Sequence, residues 1–312
     1  MKVQDEHGDL PFVSVIVPAY NAERMIEGLV NSLLCSDYPR DRFEVIVVDN
    51  GSRDTTRRIV EGLPVILLEE NEIQSSYAAR NRGLMASRGE IVAFTDADCR
   101  VDPDWIGEGV RALETHSADL IGGKIEFFFS KKRTTAELCD AARAMRNDRY
   151  IAERNGCITA NLFVKASVFR ALGPFSANVK SGGDMMWTTK ATAAGYILRY
   201  EPKAVVYHPA RKLREILSKN LRVGGGVIGV RTQGGATLSN RISTLIQCIL
   251  PPSAASIEQI LRKGDTEELR KRRFRLWAIM YLGNLCQVLG AMYGVLTAPI
   301  RKRRIFETSN LL

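Results

Sequence analysis

FVSVIVPAYNAERMIEGLVNSLLCSDYPRDRFEVIVVDN, residues 12–50, is typical of a strand, a helix and a second strand. Its β-branched run ends at Pro18, apolar residues then recur at helical spacing, and another apolar run ends at Asp49. This order predicts an α/β fold with a mainly parallel sheet, in which ligands bind outside the carboxyl ends of the strands. The residues expected at that edge are Ala19, Tyr20, Asn21, Asp49 and Asp96.

Two carboxylates follow a third apolar strand in IVAFTDADCRVDPDW, residues 91–105. Asp96 and Asp98 are hard oxygen ligands at a fixed strand end, which suits Mg²⁺ or Mn²⁺ shared with phosphate oxygens. Aspartate is also common in turns, and Asp102 and Asp104 continue a run that can cap a helix. The triplet therefore indicates either a cation site that assists departure of a diphosphate or an ordinary turn.

Six segments, in this order and spacing, carry a family resemblance: VSVIVPAYN, EVIVVDNGSRDTT, AARNRGL, FTDADC, GGDMMW and YEPKAVVYHP. Over about residues 12 to 210 the chain resembles a family 2 glycosyltransferase with the GT-A fold, a mixed, mainly parallel sheet between helices. The resemblance implies a nucleotide-sugar donor, a Mn²⁺ or Mg²⁺ cofactor, metal-assisted departure of the nucleoside diphosphate, and inverting transfer to a hydroxyl group.

The resemblance also implies a set of donor-binding residues: Pro18, Ala19, Tyr20, Asn21, Asp49, Arg80, Asn81 and Asp96. Among them Asp49 would hydrogen-bond the base, with uracil expected, and Asp98 would bind the metal. Other interpretations stay open at this point. Pro18 and Asn21 can stop a strand and cap a helix, Asp49 can belong to a turn, and Arg80 can be a solvated charge.

Asp184 is the candidate general base, because transfer needs a carboxylate or imidazole within reach of the acceptor hydroxyl. It occupies the acidic position of the family's Gly-Glu-Asp-like motif, although Gly183 stands where an acidic residue is common. Asp184 can also simply cap the following helix. The neighbouring Met186 and Trp187 indicate an apolar acceptor surface.

His208 follows an apolar run and precedes Pro209. In related enzymes a histidine near this point approaches the metal or the diphosphate, and imidazole is an acceptable ligand for Mn²⁺. The alternative is that His208 caps the strand.

The glycine-rich stretch VGGGVIG, residues 223–229, has the spacing of a dinucleotide site but follows a helix instead of a strand. We therefore reject that site and predict a flexible loop near the active site. The six cysteines are scattered without paired spacing, which predicts reduced thiols.

Charge is unevenly distributed along the 312 residues. Residues 201–312 carry 19 lysines and arginines against 7 aspartates and glutamates, a net charge of +12, whereas residues 1–200 carry −3. No nucleic-acid motif or aromatic platform accompanies this excess, so we expect no nucleic acid partner. An anionic membrane surface fits better, because the basic runs flank apolar segments.

Two apolar segments support a membrane-associated tail. Residues 242–250 present one apolar face, which is typical of a short interfacial helix. Residues 276–300 carry no charge, and a helix of that length spans roughly 30 Å of hydrocarbon. Basic clusters at 270–275 and 301–304 keep both ends cytoplasmic and favour a re-entrant or in-plane segment. A buried helix is the alternative, and Gly290 with Gly294 permits close helix packing.

The sequence thus predicts a catalytic domain over residues 1–210 and a basic, apolar helical region over 211–312. We expect a transferase at the cytoplasmic face of the cell membrane, since the N-terminal residues lack an apolar signal region. Its acceptor would be a lipid, a lipid-linked glycan or a polysaccharide precursor. Two rival classes are a sugar nucleotidyltransferase, which should carry a glycine-rich triphosphate loop where PAYNAERM stands, and a non-catalytic membrane scaffold.

Overall fold

The computed structural model describes residues 10–179, 181–233, 249–261 and 266–309. These residues divide into two compact units. The first contains residues 10–128, 145–178 and 183–209, and the second contains the other described residues.

A mixed sheet organises the first unit. Its strands are β1 (Val13–Ala19), β2 (Phe43–Asp49), β3 (Ile66–Glu69), β4 (Ile91–Thr95), β5 (Arg100–Val101), β6 (Leu120–Phe128), β7 (Asn161–Lys165) and β8 (Leu198–Pro209). They lie in the order β3-β2-β1-β4-β7-β6-β8-β5. Pairing is parallel from β3 to β4 and between β6 and β8, and antiparallel on both sides of β7 and between β5 and β8. The predicted mixed, mainly parallel sheet is confirmed.

Helices occur in both units. They are α1 (Ile26–Leu34), α2 (Thr56–Glu61), α3 (Ser76–Ala86), α4 (Trp105–Thr115), α5 (Thr135–Arg143), α6 (Asn147–Arg154), α7 (Ala166–Leu172), α8 (Gly183–Ala193), α9 (Leu213–Gln233), α10 (Ala254–Leu261), α11 (Thr266–Lys271) and α12 (Arg273–Ser309), with a 3₁₀ turn at Arg40–Arg42. In α1 the buried residues Ile26, Leu29, Val30 and Leu33 recur at helical spacing, which is why this segment forms a helix against the sheet. The second unit contains α5 and α9 to α12.

The strand register brings polar strand ends to one edge of the sheet. Ala19 at the end of β1 lies opposite Asp49 at the end of β2. On its other side β1 pairs with β4, Ile16 opposite Phe94, so Asp96 follows β4 at the same edge. The predicted common edge is confirmed, and loops after three strands can contribute to one site there.

Glycines let α9 and α12 of the second unit approach backbone to backbone. A Cβ atom added at Gly290 of α12 would collide with the carbonyl oxygen of Leu221 in α9, and one at Gly224 would collide with that of Gln287. The predicted close packing at Gly290 is confirmed. The prediction of a loop at residues 223–229 is wrong, because this close helix contact outweighs the low helix propensity of glycine.

The apolar face of α5 completes the core of the second unit. Leu138 and Ala142 of α5 pack in one buried cluster with Leu276 and Met280 of α12. Residues 129–144 therefore belong to the second unit, although the predicted single boundary assigns them to the catalytic domain. The sequence did not indicate this assignment, because the packing of α5 against α12 joins segments far apart in the chain and no change in local composition accompanies it.

The C-terminal apolar segment forms a continuous helix. Among the described residues, one helical stretch, Arg273–Gly294, is long and apolar enough to cross a membrane. Within it, 33% of an apolar segment of 18 residues is buried in the protein. Since α12 continues through residues 276–300, a re-entrant chain reversal is absent from the described part of this segment. The predicted interfacial helix at 242–250 lies outside the described residues except for Ile249 and Leu250, which are exposed.

A capping box fixes the start of α5. Thr134 Oγ1 accepts from the Glu137 N–H at 3.3 Å, and Glu137 Oε2 accepts from the Thr134 N–H at 2.7 Å. Glu137 Oε1 also accepts from the Ser130 N–H at 2.8 Å. Burial opposes the charge of Glu137, but hydrogen bonds from Ser130 and Thr134 outweigh burial and lower the pKa of this carboxyl to about 2.

Glu137→Gln is expected to lower the free energy of unfolding by roughly 2 to 3 kcal/mol at pH 7. A carboxylate whose pKa is lowered by folding stabilises the folded state at every pH above its ordinary pKa, which is 4.5 here. It loses that effect as the pH falls from 4.5 towards 2. The difference between wild type and variant, measured by urea unfolding, should shrink over that interval. The exposed Glu267→Gln should show little effect, and a pH-independent difference would contradict this account.

Candidate active site

Asn21 ties together two loops at the carboxyl ends of β1 and β2. Its backbone N–H donates to Ser52 Oγ at 2.9 Å, and its Oδ1 accepts from the Arg53 N–H at 2.8 Å. Asn21 has a φ of 50°, a left-handed conformation that asparagine tolerates. Because α1 begins only at Ile26, the structure excludes Asn21 as the cap of that helix.

Asp49 provides a buried carboxylate at the same edge. It is 4% exposed, and its Oδ2 accepts from the Ser52 N–H at 3.1 Å. Its Oδ1 is buried and has no hydrogen-bond partner among the described residues. An unpaired buried acceptor costs free energy that a bound N–H donor would offset. Tyr20, which follows β1, keeps its ring exposed, so this edge suits a planar group with an N–H donor.

Arg80 and Asp96 form an ion pair beside the Asp-x-Asp segment. Arg80 Nη2 lies 2.5 Å from Asp96 Oδ1, and the guanidinium lies 5.6 Å from the centroid of the Tyr77 ring. Arg80 is buried, so it is not the solvated charge that the sequence left open, whereas the Asp96 side chain is 29% exposed. The pair fixes Asp96 at the end of β4 and leaves part of its carboxylate accessible.

Asn81 is engaged with a neighbouring loop. Its Nδ2 donates to the Phe175 carbonyl at 2.8 Å, and its Oδ1 accepts from the Phe175 N–H at 3.0 Å. Both ends of the amide therefore hold the backbone of this loop. Contact of Asn81 with a nucleotide-sugar donor stays a prediction.

Asp98, Cys99 and His208 form a candidate metal cluster whose ligand atoms lie within 4.8 Å of one another. Asp98 Oδ2 lies 3.4 Å from His208 Nε2. His208 Nδ1 lies 2.7 Å from the Pro209 carbonyl oxygen, and because a carbonyl only accepts, Nδ1 carries the hydrogen. In the neutral form of the ring, Nε2 would carry the lone pair on the side of Asp98. An oriented imidazole beside a half-exposed carboxylate fits a divalent cation such as Mn²⁺.

Cys99 adds a protonated thiol to this cluster. Burial raises the pKa of the Cys99 thiol well above its usual value, and the charges of Asp98 and Asp96 raise it further. A protonated thiol is a poor ligand for a hard cation, so oxygen and nitrogen are the useful ligands. The free thiols among the described residues are Cys35, Cys99, Cys139, Cys157 and Cys286, in agreement with the sequence.

Asp184 is held by four hydrogen bonds. Its Oδ1 accepts from the Tyr77 hydroxyl at 3.0 Å and from the Met185 N–H at 2.9 Å. Its Oδ2 accepts from the N–H and the hydroxyl of Thr159 at 3.2 and 3.4 Å. Burial and the charge of Asp184 raise the pKa of the Tyr77 hydroxyl, which therefore remains a donor. The carboxylate is buried in the first turn of α8 and has a fixed orientation.

Trp187 is not an accessible acceptor surface. It is 4% exposed, its Nε1 donates to the Gly173 carbonyl at 2.8 Å, and its ring stacks on Phe169 at 4.2 Å between centroids. This prediction is wrong because the indole completes an aromatic core that also contains Phe175. Met186, at the preceding position of α8, is partly exposed, and its contact with an acceptor stays a prediction.

The sequence reasoning missed Tyr77 and Thr159 as residues of this site. Tyr77 precedes Arg80 by three positions on α3, and this helical spacing indicates that both side chains occupy one face. Thr159 carries no local signal, because only the tertiary fold brings it to Asp184.

Comparisons of sequence agree with this geometry. Residues 14–172 match the family described as Glycosyl transferase family 2. Glycosyltransferase AglE from Haloferax volcanii is 42% identical over 296 residues, covering 92% of this chain and 97% of that protein. Poly(ribitol-phosphate) beta-N-acetylglucosaminyltransferase TarS from Staphylococcus aureus is 38% identical over 114 residues, covering 35% of this chain and 20% of that protein.

Comparisons of structure agree with the fold. The mannosyltransferase PcManGT from Pyrobaculum calidifontis, in complex with GDP-Man and Mn²⁺, has a TM-score of 0.61 and 23% identity, covering 93% of this chain and 88% of that chain. TarS residues 1–349 from Staphylococcus aureus, in complex with UDP-GlcNAc, have a TM-score of 0.51 and 18% identity, covering 92% of this chain and 91% of that chain. At these identities the likeness shows the fold, and the predicted GT-A fold is confirmed.

Proposed function

This chain belongs to glycosyl transferase family 2, and we propose that it is an inverting, metal-dependent transferase that moves a sugar from a nucleoside-diphosphate sugar to a hydroxyl group. The expected donor is a UDP-sugar. The expected acceptor is a lipid, a lipid-linked glycan or a polysaccharide precursor presented at the cytoplasmic face of the cell membrane.

The pairing of Asp98 with His208 is the observation that carries this proposal. Asp98 Oδ2 and His208 Nε2 would hold Mn²⁺ or Mg²⁺, which supplies charge neutralisation for the departing diphosphate. His208 is fixed through its Nδ1–H and Pro209, so it needs no reorganisation to present Nε2. Asp96 is oriented by Arg80 and keeps an accessible carboxylate edge for the ribose or diphosphate. PcManGT, which shares this fold, forms a complex with GDP-Man and Mn²⁺, and this supports a metal-dependent transferase.

The buried oxygen of Asp49 supports a donor with an N–H on its base. Asp49 Oδ1 would accept that hydrogen bond, with the exposed Tyr20 ring beside the strand end for stacking on the base. Uracil presents one N–H group on the edge opposite its sugar, which matches this single acceptor. Pro18, Ala19 and Asn21 would complete the wall of the nucleoside pocket.

Asp184 is the proposed base for the acceptor hydroxyl. Tyr77 and Thr159 orient its carboxylate, so the base does not have to be positioned during the reaction. In the proposed step the acceptor oxygen bonds to the anomeric carbon, the bond from that carbon to the diphosphate breaks, and Asp184 takes the hydroxyl proton. Attack opposite the leaving group inverts the anomeric centre.

Release of nucleoside diphosphate from a panel of donors tests the proposal. Purified protein with Mn²⁺ should release UDP from one UDP-sugar only when an acceptor is present, and excess chelator should stop the release. Pyrophosphate formed from a nucleoside triphosphate and a sugar phosphate would instead identify a nucleotidyltransferase. Donor binding without turnover over broad donor and acceptor panels would favour a non-catalytic scaffold.

The surface of α12 supports a membrane-presented acceptor. Large apolar side chains along this helix are at least 44% exposed: Phe274, Leu282, Leu289, Met292 and Tyr293. Basic residues lie at 270–275, around the start of the helix, and cationic side chains beside exposed apolar ones are typical of a helix at an anionic membrane surface.

The double variant Leu282→Gln/Leu289→Gln is expected to weaken binding to anionic vesicles roughly tenfold or more, because two leucine side chains no longer enter the bilayer interface. These leucines are exposed, so the core formed by Leu276 and Met280 remains intact. Co-sedimentation measures the effect, and Met85→Gln, at an exposed residue of the first unit, is the control.

High salt should release wild-type protein only partly, because salt screens the basic residues but not the apolar contact. Wild-type protein that stays soluble and indifferent to anionic vesicles would contradict the membrane proposal.

A further inference from the structure

Side chains continue the pairing of β1 and β2 beyond the end of the sheet. The register of the two strands ends at Ala19 and Asp49. Beyond it Asn21 exchanges two hydrogen bonds with the loop after β2, one through its backbone N–H and one through its side chain. The same exchange is repeated two residues further along both loops. We name the paired segments, residues 21–23 and 52–56, the loop ladder.

Glu23 provides the second exchange of the loop ladder. Its backbone N–H donates to Asp54 Oδ2 at 3.3 Å. In return, Glu23 Oε2 accepts from the N–H and the hydroxyl of Thr55 at 3.1 and 2.8 Å. Asp54 Oδ1 also accepts from the Thr56 N–H at 3.0 Å, and Thr56 Oγ1 accepts from the Ala22 N–H at 2.7 Å. A carboxylate on each loop therefore holds the backbone of the other, and hydrogen bonds to a charged acceptor are the stronger ones.

The loop ladder adjoins the two groups that are proposed to bind the base. Tyr20, whose ring is exposed, directly precedes it on the β1 side. On the β2 side the Ser52 N–H donates to Asp49 Oδ2 at 3.1 Å, which leaves the buried Asp49 Oδ1 without a partner among the described residues. Loops that are already ordered in the free protein lose less conformational entropy when a ligand binds. The loop ladder can therefore set the affinity of this edge for a nucleotide.

We propose that Glu23 is a positioning residue for the nucleotide part of the donor. By holding Thr55 and receiving support from Asp54, it fixes the two loops so that Tyr20 and Asp49 can contact the same base. The proposal rests on the proposed nucleoside pocket, and it adds a residue that acts through the loops. The alternative is that the loop ladder only stabilises the start of α2, which follows Thr55.

Glu23→Ala is expected to raise the Kd for UDP about tenfold or more, because both bonds from Thr55 are lost and the loops must then be ordered during binding. Calorimetric titration with UDP, and with GDP in parallel, in the presence of Mn²⁺ measures this affinity. The value of kcat at saturating donor should change much less than Kd. Glu23→Gln keeps an acceptor oxygen and should stay within about threefold of the wild-type Kd. Glu27→Ala, at an exposed residue of α1, is the control and should change Kd less than about twofold.

Thr55→Ala tests whether Glu23 acts through the loop after β2. Alone, this variant should raise the Kd for UDP about threefold, because one hydrogen bond to the Glu23 carboxylate is lost. In the Glu23→Ala background it should have no further effect, because the hydroxyl has already lost its acceptor. Fully additive effects of the two changes would overturn the proposal, since Glu23 would then act independently of Thr55.

Hydrogen exchange separates positioning from stability. In free Glu23→Ala the amides of Arg53 and Thr55 should exchange faster than in wild type, those of β1 and β2 should stay protected, and saturating UDP should restore protection of both loop amides. A lower thermal midpoint with an unchanged UDP affinity in Glu23→Ala would show a purely structural role and overturn the proposal. Wild-type protein that binds neither UDP nor GDP would overturn the proposed donor site together with this inference.

Discussion

Asp98→Asn is expected to lower the rate of sugar transfer by about 10²-fold or more, because the proposed metal would be held less well and would stabilise less charge on the departing diphosphate. Asparagine keeps the size of the side chain but removes the anionic ligand beside His208 Nε2. His208 keeps its bond to the Pro209 carbonyl, so the change is confined to the ligand set. The measurement is kcat for UDP release as a function of Mn²⁺ concentration, and the variant should also need more Mn²⁺.

Asp104→Asn is the matched control for this prediction. Asp104 lies beyond β5, directly before α4, is exposed, and does not belong to the candidate metal cluster. Its variant should keep the wild-type rate to within about twofold. Near-normal transfer by Asp98→Asn, or by wild type in excess chelator, would remove Asp98 from the mechanism.

Asp184→Asn is expected to lower turnover by roughly 10²-fold or more while donor affinity is kept, because the basic carboxylate is lost and the side chain keeps its size. The amide oxygen can still accept from Tyr77 or Thr159, and asparagine is also a good residue at a helix start. The measurements are kcat with saturating acceptor and the Kd for the donor. A larger effect on kcat than on donor Kd is the signature of a base.

Asp148→Asn controls for the capping role of Asp184, since both acids lie in the first turn of a helix. It should leave turnover unchanged, because Asp148 pairs with Arg146 and has no part in the proposed transfer. If Asp184→Asn unfolds the protein or loses donor binding as severely as turnover, the carboxylate is structural and another base must act.

The strands of the first unit were predictable because their signals are local. The β-branched runs at 12–17 and 43–48 became β1 and β2 within two residues of their predicted ends. Burial on both faces explains these continuous apolar runs, and β2 is buried along its whole length. The strand ends then fix the edge at which Asp49 and Asp96 lie.

What the sequence did not predict depends on contacts between distant segments. Tyr77 and Asp184 are 107 residues apart, and only the tertiary fold places one hydroxyl against one carboxylate. Trp187 was predicted to lie on a surface, but in the fold Phe169 and Phe175 pack against its ring. The low helix propensity of glycine favoured a loop at residues 223–229. In the fold these residues are helical, because their glycines let α9 pack closely against α12.

The anomeric configuration of the product tests the central claim most directly. One purified donor and one acceptor, incubated with Mn²⁺ and followed by NMR through the coupling of the anomeric proton, give the answer in a single reaction. With metal-assisted departure at Asp98 and a base at Asp184, we expect a product with the configuration opposite to that of the donor sugar. A product that retains the donor configuration would contradict it, because a single displacement assisted by that base cannot retain.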